Sequence, residues 1–180
     1  MYYQLESDEP AMTAYVTAEN ECSESLVRGR FIDPAGENLP FRYTYRDPSG
    51  SPLFDYYSGD NLMSKRLVDT LEKAGVDNLQ KFETELVDER TGGINKDFWI
   101  VNIIGLVSCA AVDLSTTSEL GSSYYFHDLI INPKNTGDLL VFRLAESMID
   151  VLVDEKVAKK IEAGDFRGVV LHPVKTAPPV

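Results

Sequence analysis

The side chains able to do chemistry are few in kind and scattered in position. His127 and His172 are the two histidines, and Cys22 and Cys109 the two cysteines. A thiolate beside an imidazole is a nucleophile, so Cys109 with either ring could form a Cys–His site. Nothing in the spacing brings these groups together, and neither a G-x-S-x-G elbow nor an H-E-x-x-H pair occurs. Asp128, Asp138 and Asp150 lie near the ends of expected strands, where paired carboxylates could act as acid and base. With 29 acidic residues in the chain, such coincidences carry little weight. Structural or surface duties are the plainer reading of all these groups, and a small hydrolase-like enzyme built on a carboxylate or His site stands as the alternative.

The stretch Asp55–Gly75, DYYSGDNLMSKRLVDTLEKAG, offers a second kind of site. A turn, S-G-D-N, precedes an amphipathic helix. Helix N-termini bind phosphate through free N–H groups and the helix dipole. That use needs glycines for close approach, and here there is one glycine and an acid, Asp60. A carboxylate there would cap the helix itself and repel phosphate. The segment is therefore read as a cap or turn, and the stretch as the start of a helix.

Tyrosine is the more telling residue. Nine occur, with doublets at Tyr2-Tyr3, Tyr56-Tyr57 and Tyr124-Tyr125. Neighbours on a strand face opposite ways, so one ring of each doublet is expected outside. Tyrosine is enriched at protein interfaces, where it gives stiff area and a hydroxyl. Tyr56, Tyr57, Asp60, Tyr124 and Tyr125 are the candidate partner-binding residues. Core-edge packing is the plain alternative.

Composition bounds the function. A chain of 180 residues with 43% apolar and 26% charged side chains is globular. The formal charge is −12. Nucleic-acid binders carry basic stripes, and none is visible, so nucleic acid and anionic membrane are not expected partners. Glu6, Asp8, Glu9, Glu19, Glu21 and Glu24 all precede the first basic side chain, Arg28. Such a surface aids solubility, and it also steers a cationic partner. Two distant cysteines fit neither a disulfide scaffold nor a structural zinc site, and no cofactor is implied. The first ten residues lack the pattern of a signal peptide. A reduced, cytoplasmic setting is expected.

The elements that must position these residues follow from periodicity. Tyr2 to Leu5 reads as a short edge strand, Phe41 to Tyr45 as a half-buried one, and 47–52 as a loop. Leu67, Val68, Leu71 and Ala74 recur at helical spacing before Gly75. Residues 82–86 alternate as a strand. Residues 97–110, DFWIVNIIGLVSCA, are apolar on both faces and read as one central strand. Residues 115–123 read as a polar loop. Strands are expected at 127–131, 139–144, 148–152 and 168–171, with a second helix capped by Asp154 and ended by Gly164. The sum is a single α+β domain with a mostly antiparallel or mixed sheet and about two main helices. The expected division is an extension of uncertain structure at 1–50 packed on the domain, the domain itself at 51–175, and a tail at 176–180.

The ordered succession YYSGDNLMSKRLVDTLEKAG, DFWIVNIIGLVSCAAVD, FRLAES and VLVDEKVAKKIEAGDFRGVVLHPV resembles the eleventh immunity-protein family of bacterial polymorphic-toxin systems. The likeness spans roughly 53–174. It implies a non-enzymatic antidote, encoded beside a secreted toxin, that binds and neutralises that toxin. The implied partner is a cognate toxin protein. The acidic composition points to a basic surface on it, such as a nuclease has. A scaffold or self-associating module is the further alternative. The resemblance supplies no catalytic residues.

Overall fold

A computed structural model describes residues 1–8, 15–46, 52–121 and 123–178. The expected loop at 47–52, apart from Pro52, and the last two residues of the tail lie outside these.

The chain opens with β1 (Tyr2–Ser7), β2 (Tyr15–Ala18) and β3 (Phe41–Arg46). A tight hairpin of β4 (Tyr56–Tyr57) and β5 (Leu62–Ser64) leads into α1 (Lys65–Ala74). Then come β6 (Leu79–Asp88), β7 (Ile94–Asn95), β8 (Phe98–Ile103) and β9 (Leu106–Val107). A second hairpin, β10 (Thr116–Leu120) and β11 (Ser123–Asp128), is followed by β12 (Ile130–Ile131), β13 (Val141–Leu144) and β14 (Ser147–Asp154). The chain ends with α2 (Glu155–Ala163) and β15 (Val169–Thr176). The architecture is α+β, with two α-helices among the described residues.

Two mixed sheets carry the fold. One runs β12-β15-β1-β14-β13-β9 and the other β2-β3-β6-β8-β5-β4, with β7 on β6. The pairs β12–β15, β13–β9 and β3–β6 are parallel, and the other pairs within the two sheets are antiparallel. The hairpin β10–β11 forms a separate two-stranded sheet. Residues 1–50 supply β1 to one sheet and β2 and β3 to the other.

Alternation along the strands sorts side chains into three cores. The first joins Leu5, Val141, Val151 and Val153 of one sheet to Met63, Val101 and Ile103 of the other, under the apolar faces of both helices. The second lies on the far face of the β8 sheet, around Phe41, Phe82, Phe98 and Ile100. The third covers the far face of the β14 sheet, with Phe142, Leu144 and Leu152 against Phe126 and Ile131. Successive residues of β5, β8, β13 and β14 thus enter different cores. A strand covered on both faces reads as a continuous apolar run.

The helices form as their patterns require. In α1, Leu67, Val68, Leu71 and Ala74 are all buried, and Gly75 closes the helix at φ 104°, a left-handed conformation that costs glycine little. In α2, the Asp154 carboxylate accepts the Lys156 N–H at 2.8 Å, as expected of a cap.

Three expectations need correction. Tyr2 to Leu5 is not an edge: β1 is flanked by β14 and β15, because its alternate residues face two different cores. Residues 115–123 are not all loop: β10 pairs with β11, and its polar exposed side chains hid the strand pattern. The apolar run at 97–110 is two strands in different sheets. The break falls at Gly105, whose φ is +139° and where an added Cβ would lie 2.8 Å from Leu139 Cδ1. Only glycine lets the chain cross there from one sheet to the other.

Candidate functional site

The S-G-D-N segment is a turn that closes the β4–β5 hairpin, with the Asn61 N–H donating to the Ser58 carbonyl at 3.3 Å. The expected turn is there, but the expected cap is corrected: the segment does not start the helix. The cap of α1 is Ser64, whose hydroxyl accepts the Leu67 N–H at 3.2 Å. Asp60 is thereby left in the turn, four residues before the cap Ser64. Asn61 adopts φ 54°, a conformation asparagine tolerates better than most residues.

The turn is held from three directions. Ser58 N–H donates to Ser7 Oγ at 3.1 Å, and the two hydroxyls lie 2.7 Å apart, fixing the turn to β1. Asn61 Oδ1 accepts from Arg143 Nη2, while Arg143 Nη1 donates to the Met148 carbonyl at 3.1 Å. Beneath the hairpin, buried Asp55 accepts from Ser64 Oγ, from Arg66 and, at 2.8 Å, from the Arg167 N–H. Burial alone raises the Asp55 pKa, but these hydrogen bonds outweigh it and hold the carboxyl below its usual range.

Two clefts open on either side of this turn, and Gly59 and Val27 belong to the walls of both. The first, about 340 Å³, is lined by Gln4, Glu6, Tyr125, Arg143, Ile149 and Asp150 among others. Arg143 is 1% exposed, its Nε has no hydrogen-bond partner among the described residues, and burial lowers its pKa. Burial raises that of Asp150, with Glu6 adding to it, while Gln4 Nε2 donates to Asp150 Oδ1 at 2.9 Å. Tyr125 and Ile149 stand exposed at the rim.

The second cleft, about 410 Å³, is lined by Glu21, Glu24 and Asp60, with Phe41, Tyr43 and Ile100 among its other residues. Its outer loop is braced by Glu37, which accepts from the Ser23 N–H at 3.0 Å and from the Ser23 hydroxyl. Asn20 Oδ1 accepts the Arg42 N–H at 2.6 Å, joining the same loop to β3. Burial, and then the charges of Asp60 and Glu21, push the Tyr43 hydroxyl well above its ordinary pKa. The potential inside this cleft is therefore negative.

The expected site residues separate into two groups. Asp60 lines the acidic cleft and Tyr125 the first. Tyr124 is half-buried against the third core, its ring 6.0 Å from Phe126. Tyr56 and Tyr57 are 1% and 2% exposed. The expectation that one of them faces outward is corrected: Tyr56 enters the first core and Tyr57 the second, so neither offers surface to a partner. Sequence reading missed Arg143 and Tyr43, and it named Glu21 and Glu24 only as part of a general acidic surface that steers a cationic partner. A charge inside the apolar run Val141–Leu144 was the available signal for Arg143.

The catalytic alternatives are not assembled. Cys109 is buried in the third core, where burial and the charge of Glu146 push its thiol up to about 12. His127 meets Ser118 and Tyr125, and His172 lies 3.4 Å from Glu6. Asp128 pairs with Lys175 at 2.7 Å, and Asp138 is exposed. Among the described residues, no three carboxylate, thiol or imidazole groups converge on a metal position. No helix among them is long and apolar enough to cross a membrane.

The arrangement suits macromolecular contact: a braced turn between two open clefts, with aromatic and acidic side chains at their rims. Comparison of the sequence with family models matches residues 16–176 to the Immunity protein family (Imm11). The chain belongs to that family. No curated protein matches it.

Proposed function

We propose that the chain is a cytoplasmic immunity protein that neutralises a cognate secreted toxin by one-to-one binding and carries out no catalysis. The Imm11 match across nearly the whole chain carries this reading. The geometry supports the finer part. The Ser58–Asn61 turn has an acidic cleft with Asp60 on one side and, on the other, a cleft with the exposed ring of Tyr125 at its rim. Its natural complement is a basic protein surface, and a nuclease, whose cleft holds a polyanion, is the toxin type that fits. Tyr124 stiffens the strand that presents Tyr125. A specific interface buries about 1,600 Å², so the contact extends beyond the turn, with a few desolvated anchors carrying most of the affinity.

Co-expression tests the proposal. The toxin encoded by the adjacent reading frame should arrest growth alone and be tolerated with this chain, and the two should co-purify as a one-to-one complex. Continued arrest, with no complex on size-exclusion chromatography, rejects it.

A further inference from the structure

Arg143 is buried on β13 and belongs to the wall of the first cleft. Among the described residues its guanidinium meets neutral acceptors alone: Nη1 donates to the Met148 carbonyl, Nη2 to Asn61 Oδ1, and Nε to nothing. None of the ion pairs among those residues includes it. Buried charges are ordinarily paired, because an unpaired one loses its hydration without compensation. An idle donor on such a group points to an acceptor from outside the chain. The acids of the same cleft have partners of their own: Glu6 lies 3.4 Å from His172, and Asp150 Oδ1 accepts from Gln4 Nε2 at 2.9 Å. Tyr125 and Ile149 form exposed edges. An inner buried cation with outer apolar and aromatic edges matches a carboxylate on a short apolar stem.

We infer that the first cleft takes the carboxylate of a glutamate or aspartate side chain of the toxin, with Arg143 as its cationic contact, which rests on the binding function proposed above. Because Arg143 is 1% exposed, the carboxylate must enter the cleft to meet it, as a side chain does and a flat surface does not. Out of water the pair attracts more strongly than it would at the surface, and Tyr125 and Ile149 cover the stem. The net charge of −12 disfavours a polyanion here, but not a single acid within a basic protein surface. The Ser58–Asn61 turn thus has an acidic cleft on one side and a buried cation on the other. One orientation of such a toxin surface satisfies both.

The test measures affinity for the toxin of the adjacent reading frame with Ile149→Glu and Ile149→Lys, at low and high salt. Ile149 is exposed, so both variants keep the fold. A carboxylate entering beside residue 149 predicts that Ile149→Lys binds about tenfold more tightly than Ile149→Glu at low salt, with the gap closing as salt is added. General attraction to a basic toxin surface predicts the opposite order, and that order refutes the pocket. Affinities equal within twofold also refute it and leave the immunity function standing. Arg143→Met, checked for folding by circular dichroism, should dissociate about thirtyfold faster. A folded Arg143→Met that dissociates as wild type does refutes the pocket, and if that variant does not fold the Ile149 pair decides. Absence of a wild-type complex removes the immunity function itself and the occupant with it. A dimer of the chain alone that responds to the Ile149 pair, while toxin binding does not, assigns the cleft to a second copy and refutes the proposal.

Discussion

The hairpins β4–β5 and β10–β11 each carry a Tyr-Tyr doublet, and they use it in opposite ways. In the first, Tyr56 and Tyr57 point into two different cores, because the hairpin is the end of a sheet covered on both faces. In the second, Tyr124 leans on the third core and Tyr125 is 53% exposed, because the hairpin stands outside both large sheets. The dipeptide alone does not decide which ring reaches solvent. The number of layers over the strand does. One hairpin is a fixed support and the other an open display, and the first cleft lies between them, with Ser58 and Gly59 on one wall and Tyr125 on the other.

The sharpest way to break this contrast is to truncate the support. Tyr56→Ala removes a ring fully buried in the first core and should cost about 3 kcal/mol, measured by urea denaturation. A loss below about 1 kcal/mol would mean that the hairpin is not packed as described. Next comes the carboxylate beneath it. Asp55→Asn leaves Arg66 and the Arg167 N–H facing a weaker acceptor and should cost about 2 kcal/mol at pH 7. The pH dependence has a definite sign. The Asp55 pKa is lower in the folded state, so its stabilisation is full above the unfolded value of about 3.9 and is lost as pH falls through the folded value. The stability difference between wild type and Asp55→Asn should therefore shrink as the pH is lowered from 5 to below the unfolded value of about 3.9. A constant difference over that span would show that Asp55 does not act through its charge.

Local signals survived into the structure where one face of an element was buried. The stripe of Leu67, Val68, Leu71 and Ala74 located α1, and Asp154 located the cap of α2. Two-sided burial was legible at β8 because its residues are apolar at successive positions. It was not legible at Tyr2–Ser7, where mixed polar and apolar residues meet two cores through alternate positions. Helix start signals misled at 58–61, because asparagine and glycine serve a hairpin turn as well as a cap, and Ser64 took the capping role. Of the candidate site, Asp60 and Tyr125 were visible from residue type. The acidic cleft was not, because Glu21, Tyr43 and Asp60 come from three separated segments that only the fold brings together. Arg143 likewise reaches the turn from a strand 82 positions away.

The display hairpin gives the smallest expected change in stability and a large expected change in binding. Tyr125 stacks edge-on against His127, with centroids 5.0 Å apart, and otherwise faces solvent and the first cleft. Truncating an exposed ring removes little burial, so Tyr125→Ala should shift unfolding by less than about 0.5 kcal/mol. If the ring is an anchor for the toxin, the same change should weaken the complex by 2 kcal/mol or more, roughly thirtyfold. Tyr56→Ala provides the opposite control: its effect on binding should follow its loss of folded protein and vanish when folded fractions are matched. A Tyr125→Ala protein that binds the toxin as wild type does would move the contact away from β11, toward the acidic cleft across the turn. The support would then be the same, but the display would be the carboxylates rather than the ring.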